Sequence, residues 1–106
     1  MKPVLDHEKL SGLQGLIGKE KCEAALERFK DELRTCVQAI EAEVPDPAES
    51  AHRLAGVAGM LGFDDLEEQS RRFLAAVHED PDDVASSTKA LIDSARRAES
   101  ELAAMA

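Results

Sequence analysis

Ala51-His52-Arg53-Leu54-Ala55-Gly56-Val57-Ala58-Gly59-Met60-Leu61-Gly62-Phe63 is the stretch on which the fold of this chain turns. At about 100° per residue, a helix here gathers Ala51, Leu54, Ala55, Ala58 and Leu61 on one arc, an aliphatic core face. His52, Gly56, Gly59 and Phe63 recur at i, i+4, i+7 and i+11 on a second stripe, roughly 120° from the centre of that face. The spacing predicts an imidazole on a flank that solvent can reach. Each interior glycine costs a helix about 0.5–1 kcal/mol relative to alanine, so two on one stripe need a reason. Close approach by another surface is one reason; close packing of a neighbouring helix is the other. Val57 and Met60 fall on the side away from the core. With Arg53 and Phe63 at the edge they make a candidate docking patch, unless they pack beneath an N-terminal helix.

The sequence on either side supplies helix after helix. Asp6 can cap a short first helix to about Ile17, with Leu10, Leu13 and Leu16 or Ile17 as its stripe and Gly18 as its end. A second helix runs from about Lys19 to Val44, with Leu26, Phe29, Leu33, Cys36, Val37, Ile40 and Val44 on one face. Asp46-Pro47-Ala48-Glu49 reads as a start signal, with Asp46 as N-cap, Pro47 at the first helical position and Glu49 completing a capping-box-like arrangement. Gly62-Phe63-Asp64-Asp65 separates the third helix from a fourth whose stripe is Leu66, Phe73 and Val77. Asp80-Pro81-Asp82-Asp83 repeats the start signal before a last helix with a seam of Val84, Thr88, Leu91, Ala95, Ala98 and Leu102. Short connections favour antiparallel neighbours. The expected fold is all-α, an up-down-up-down antiparallel four-helix bundle with a short extra N-terminal helix, as one domain over residues 1–106.

Composition agrees with that fold and bounds the function. A chain of 106 residues with 3% aromatics and no Trp or Tyr builds one modest aliphatic core. Four prolines and six glycines are few for an all-β chain. The formal charge of −9 lacks the basic clusters with which proteins bind phosphate backbones, so nucleic acid is not an expected partner. No apolar run reaches the ~20 residues of a membrane span, and no charged-then-apolar leader opens the chain. A cytoplasmic monomer is expected. Cys22 and Cys36 would lie roughly 21 Å apart on one helix, beyond the ~7 Å limit for a disulfide.

The run from Ala51 to Phe63 resembles the phosphoacceptor helix of histidine-phosphotransfer (HPt) domains, whose pattern is roughly His-x-Leu-Lys-Gly, small residues, then Leu-Gly. The lead-in Val4-Leu5-Asp6, Leu10, Leu13, then Gly18-x-Glu20 and Leu26-x-x-Phe29, is similar to that of the same family, and the stretch after Gly62 also fits. The resemblance implies a phosphoryl carrier without independent catalytic activity. In such proteins a histidine takes a phosphoryl group from the phospho-aspartate of one response-regulator receiver domain and passes it to another. Carried over, His52 is the phosphoacceptor, and Gly56 and Gly59 give the receiver clearance. The implied partners are receiver domains and a hybrid or sensor histidine kinase. No cofactor is expected on this chain, because the receiver brings the Mg²⁺. The lack of an attached ATP-binding domain favours a free-standing relay protein.

One position departs from the pattern: the usual lysine is Ala55, which cannot offset phosphoryl charge. Arg53 lies one position from His52 and more outward. Arg71, on the next helix about one turn from the level of His52, is the better substitute, although an i−4 salt bridge to Glu67 would explain it equally well. Leu74 stands where many relatives carry a polar residue near the histidine. A degenerate HPt-like adaptor that docks a receiver or kinase without phosphotransfer is therefore the alternative function, and a self-associating bundle a third. His7 and His78 sit in terminal turns, and Asp64, Asp65, Glu67 and Glu68 at a helix start, where capping and the helix dipole account for acids. No metal-ligand spacing is present.

Overall fold

The computed structural model describes residues 3–42 and 47–105. Five α-helices follow one another: α1 (His7–Ile17), α2 (Lys19–Glu41), α3 (Ala48–Leu61), α4 (Asp64–Glu79) and α5 (Val84–Met105), with a 3₁₀ turn at Pro81–Asp83 leading into α5. There is no strand among the described residues, so the all-α class stands. Each of the helices α2 to α5 packs against the next, and α5 returns to α2, while α1 lies against α2 and α3. Between α4 and α5, Ser94 Oγ donates to Asp65 at 2.7 Å and Arg72 Nη2 donates to Ser86 at 3.0 Å. Moving up α4 from 65 to 72 moves down α5 from 94 to 86, so these two helices are antiparallel.

The boundaries follow from local chemistry. The Asp6 side chain accepts the Lys9 N–H at 3.1 Å and starts α1, and Gly18, at φ +91°, ends it. Gly62 at φ +94° takes the left-handed conformation that closes α3, and the Phe63 N–H reaches the Ala58 carbonyl at 2.9 Å. A Cβ at Gly62 would also come within 2.7 Å of the Asp6 carbonyl oxygen. That approach is used: the Asp6 N–H donates to the Gly62 carbonyl at 2.8 Å, and Lys9 Nζ meets Asp64 at 2.8 Å. Together they fasten α1 across the α3–α4 turn.

The core draws on every helix. Phe29, Leu33 and Cys36 of α2 meet Ala51, Leu54, Ala58 and Leu61 of α3, Leu66 and Phe73 of α4, and Leu91, Ala95, Ala98 and Leu102 of α5. The whole expected core arc of α3, including Ala55, is buried. Both cysteines are buried and free. Burial pushes the Cys36 thiol up to about 11, with the Glu32 charge adding to the effect.

Some expected details shift. The second helix ends at Glu41, and both Val44 and the proposed Asp46 cap lie outside the described residues. Pro47 sits just before α3 rather than in its first turn. On α1, Ile17 packs on the core and Leu16 is 82% exposed. Val77, assigned above to the α4 stripe, is exposed, and Ala76 and Ser70 are buried instead. At 100° per residue Val77 lies within about 20° of Leu66 and Ala76 about 80° to one side, so at the last turn of α4 the cover lies to the Ala76 side of the stripe and periodicity alone does not reveal it.

Candidate functional site

The second stripe of α3 divides in two. His52 and Gly56, in its N-terminal half, are exposed. They open onto a shallow groove of about 400 Å³ between α2 and α3, lined also by Arg28, Glu32, Arg53, Val57 and Met60. A Cβ added to Gly56 would meet nothing within 4 Å. Among the described residues no contact therefore requires a glycine there, and the helix carries its cost with an open space beside the histidine.

The C-terminal half is covered. A Cβ on Gly59 would overlap the Glu67 carboxylate, so this glycine receives a side chain from α4. Phe63 is fully buried, its ring 4.8 Å from that of Phe29 with the planes at 37°. The expectation that Gly59 clears the way for a partner and that Phe63 edges a docking patch is corrected on both counts. The reason is the tight Gly62 turn, which folds α4 back over the end of α3. Met60 remains 49% exposed, whereas Val57 is half-buried and packs on the core from the groove side.

The cations around His52 differ in how they are held. Arg53 donates to Glu49 at 2.9 Å, to Glu32 at 3.3 Å and to Ser50 at 3.4 Å, which braces α3 against α2. Arg71 pairs with Glu67 at 3.1 Å, the i−4 bridge weighed above, and does not line the groove. Arg28 does line it, and its side chain makes no hydrogen bond or ion pair with any described residue. Ala55, in the position of the usual lysine, is wholly buried. Arg28 and Glu32 are the site residues that sequence reasoning missed. Both belong to α2, and nothing in a single sequence sets its register against α3.

An exposed imidazole with one flank cleared, beside a partly apolar groove, can take up and surrender a group carried by a second protein. The model of the Hpt domain family matches residues 24–105, from within α2 to the end of α5. The chain belongs to the Hpt domain family. Hpt domains serve histidine phosphotransfer in two-component signalling, as phosphocarriers that meet receiver domains and histidine kinases. No curated protein and no solved structure matches the chain. No helix among the described residues is long and apolar enough to cross a membrane.

Proposed function

We propose that this Hpt protein relays a phosphoryl group between aspartates of response-regulator receiver domains through His52. The observation that carries the reading is the pairing of an exposed His52 with Gly56, whose flank is open although no described residue needs it open. One ring nitrogen of neutral His52 attacks the phosphorus of the receiver's acyl phosphate. The bond from phosphorus to the aspartyl oxygen breaks, and the aspartate leaves as a carboxylate. The ring keeps its other N–H and becomes a phosphoimidazolium, a high-energy donor ready for the reverse step on a second receiver. Positioning and charge stabilisation do most of the work in such transfers, with Mg²⁺ supplied by the receiver.

In this reading α2 to α5 form an up-down-up-down antiparallel bundle with α1 as a short addition. Met60, Val57 and Arg53 form the receiver-facing surface around His52. The chain acts as a cytoplasmic monomer and binds neither nucleic acid nor membrane. Arg71 supports the phosphoryl charge only if it gives up Glu67. A receiver labelled with ³²P on its aspartate is the test. Acid-labile, alkali-stable label should appear on the chain and be lost in His52→Gln; no label from any receiver of the same organism overturns the reading. One observation favours the adaptor alternative, namely that Ala55 is buried where a lysine is usual. An adaptor would bind the receiver equally well with and without His52 and would carry no label.

A further inference from the structure

Among the described residues the groove beside His52 is lined by two arginines, of which Arg53 is paired and Arg28 is not. Glu32 of α2 contacts Arg53 of α3 at 3.3 Å, and Phe29 of α2 contacts Phe63 near the far end of α3, so the two helices run in opposite directions. One turn back along α2 from Glu32 is Arg28. One turn forward along α3 from Arg53 is Gly56-Val57. Arg28 therefore stands level with the Gly56 clearing, a single turn from His52, and the shared groove lining agrees.

We propose that Arg28 is the catalytic cation that meets the phosphoryl group carried on His52; the inference rests on the carrier function proposed above. Three observations converge on it. The Arg28 guanidinium has no partner among the described residues, so turning to a phosphoryl group breaks no existing bond. Arg53 would have to leave two carboxylates, and Arg71 would have to leave Glu67. Ala55 brings no charge of its own, so α3 carries no free ammonium next to the histidine. The acid that faces the same groove, Glu32, is paired with Arg53, which it shares with Glu49. A guanidinium presents paired N–H donors that match two phosphoryl oxygens, which a point charge does less well. With the Gly56 side open, that fork reaches over the space where the phosphoryl group would sit.

The test uses the full chain with His7→Gln and His78→Gln, which leaves His52 as its one histidine. Phosphoramidate then phosphorylates His52 without any receiver, and ³¹P resonance follows the titration of the phosphoryl group. A nearby guanidinium favours the dianion. Arg28→Ala should therefore raise the titration midpoint, Arg28→Lys should restore part of the shift, and Arg71→Ala should leave it in place. Transfer to a saturating receiver should slow roughly tenfold in Arg28→Ala, the size expected for one charge-assisted contact, with receiver affinity little changed. Arg28 is exposed, so thermal melts of these variants should coincide with the parent. An unchanged midpoint in Arg28→Ala, or a larger change in Arg71→Ala, overturns the proposal. A His52 that takes nothing from phosphoramidate overturns it as well. Failure of the carrier function looks different: no exchange with any receiver, while the ³¹P midpoint still responds to Arg28.

Discussion

The Glu67 carboxylate lies over Gly59, in the space a Cβ there would fill, and from that seat holds Arg71 at 3.1 Å. This contact joins α3 to α4 and sets the difference between the two glycines of the histidine stripe. One receives a side chain of the protein itself; the other faces open space.

Gly59→Ala should be close to neutral for stability. The overlap is with the far end of a flexible side chain, so Glu67 can swing away, and the exposed pair it leaves contributes little. The gain in helix propensity then offsets the loss of that pair. In a Glu67→Ala background the same substitution should stabilise by about 0.5–1 kcal/mol. A double-mutant cycle by urea unfolding reads this coupling; additive effects would mean that Glu67 does not occupy the notch.

Gly56→Ala should separate stability from function. Nothing lies within 4 Å of the added methyl, so the helix should gain about 0.5–1 kcal/mol and the melting temperature should rise. Transfer from a phosphorylated receiver should nevertheless slow, because the methyl intrudes on the approach to His52. A more stable variant that transfers at the parent rate would show that no partner uses the clearing.

Phe63→Ala should be severe. The ring is fully buried against Phe29, and deleting it removes about 3–5 kcal/mol, a large share of what a small domain has. Loss of the cooperative melt, or a large fall in its midpoint, is the expected outcome. A change under about 1 kcal/mol would return Phe63 to the surface role its stripe position suggested.

A 3.6-residue repeat sets the angle of each side chain about its own axis, and the arc from Ala51 to Leu61 was legible in full for that reason. The Asp6 cap and the Gly18 stop were legible because each rests on one residue's local chemistry. Angle alone does not say which neighbour covers a flank. Gly59 and Phe63 share their stripe with His52, yet they are buried because the Gly62 turn brings α4 and Phe29 over them. Arg28 was invisible for a related reason: its nearness to His52 depends on the register of two helices that no local pattern encodes. Buried Ser70, Ser87 and Ser94 were missed because a hydrophobic stripe passes over small polar residues, and the partners that let two of them be buried, the Val84 carbonyl for Ser87 and Asp65 for Ser94, leave no periodic mark.

Alkaline pH should weaken the fold through Cys36. Its thiol ordinarily ionises near 9 and is pushed up to about 11 in the native state, so folding favours the protonated form. The stabilisation is complete below pH 9 and is lost as pH rises through 11, by something on the order of 2–3 kcal/mol. The chain has no tyrosine to titrate in that window, and comparison with Cys36→Ala separates this thiol from the lysines and from Cys22. Urea midpoints between pH 8 and 11 should fall in the parent and fall less in Cys36→Ala. Parallel curves would remove Cys36 as the cause.

Passage of a phosphoryl group from one aspartate to another through His52 can be followed in a reconstituted relay: a ³²P-labelled first receiver, this chain, and an unlabelled second receiver, sampled by rapid quench. Label should move through an acid-labile intermediate on the chain and accumulate on the second receiver, and His52→Gln should stop both. Equal flow through His52→Gln, or label on the chain at any other residue, would mean that His52 is not the carrier.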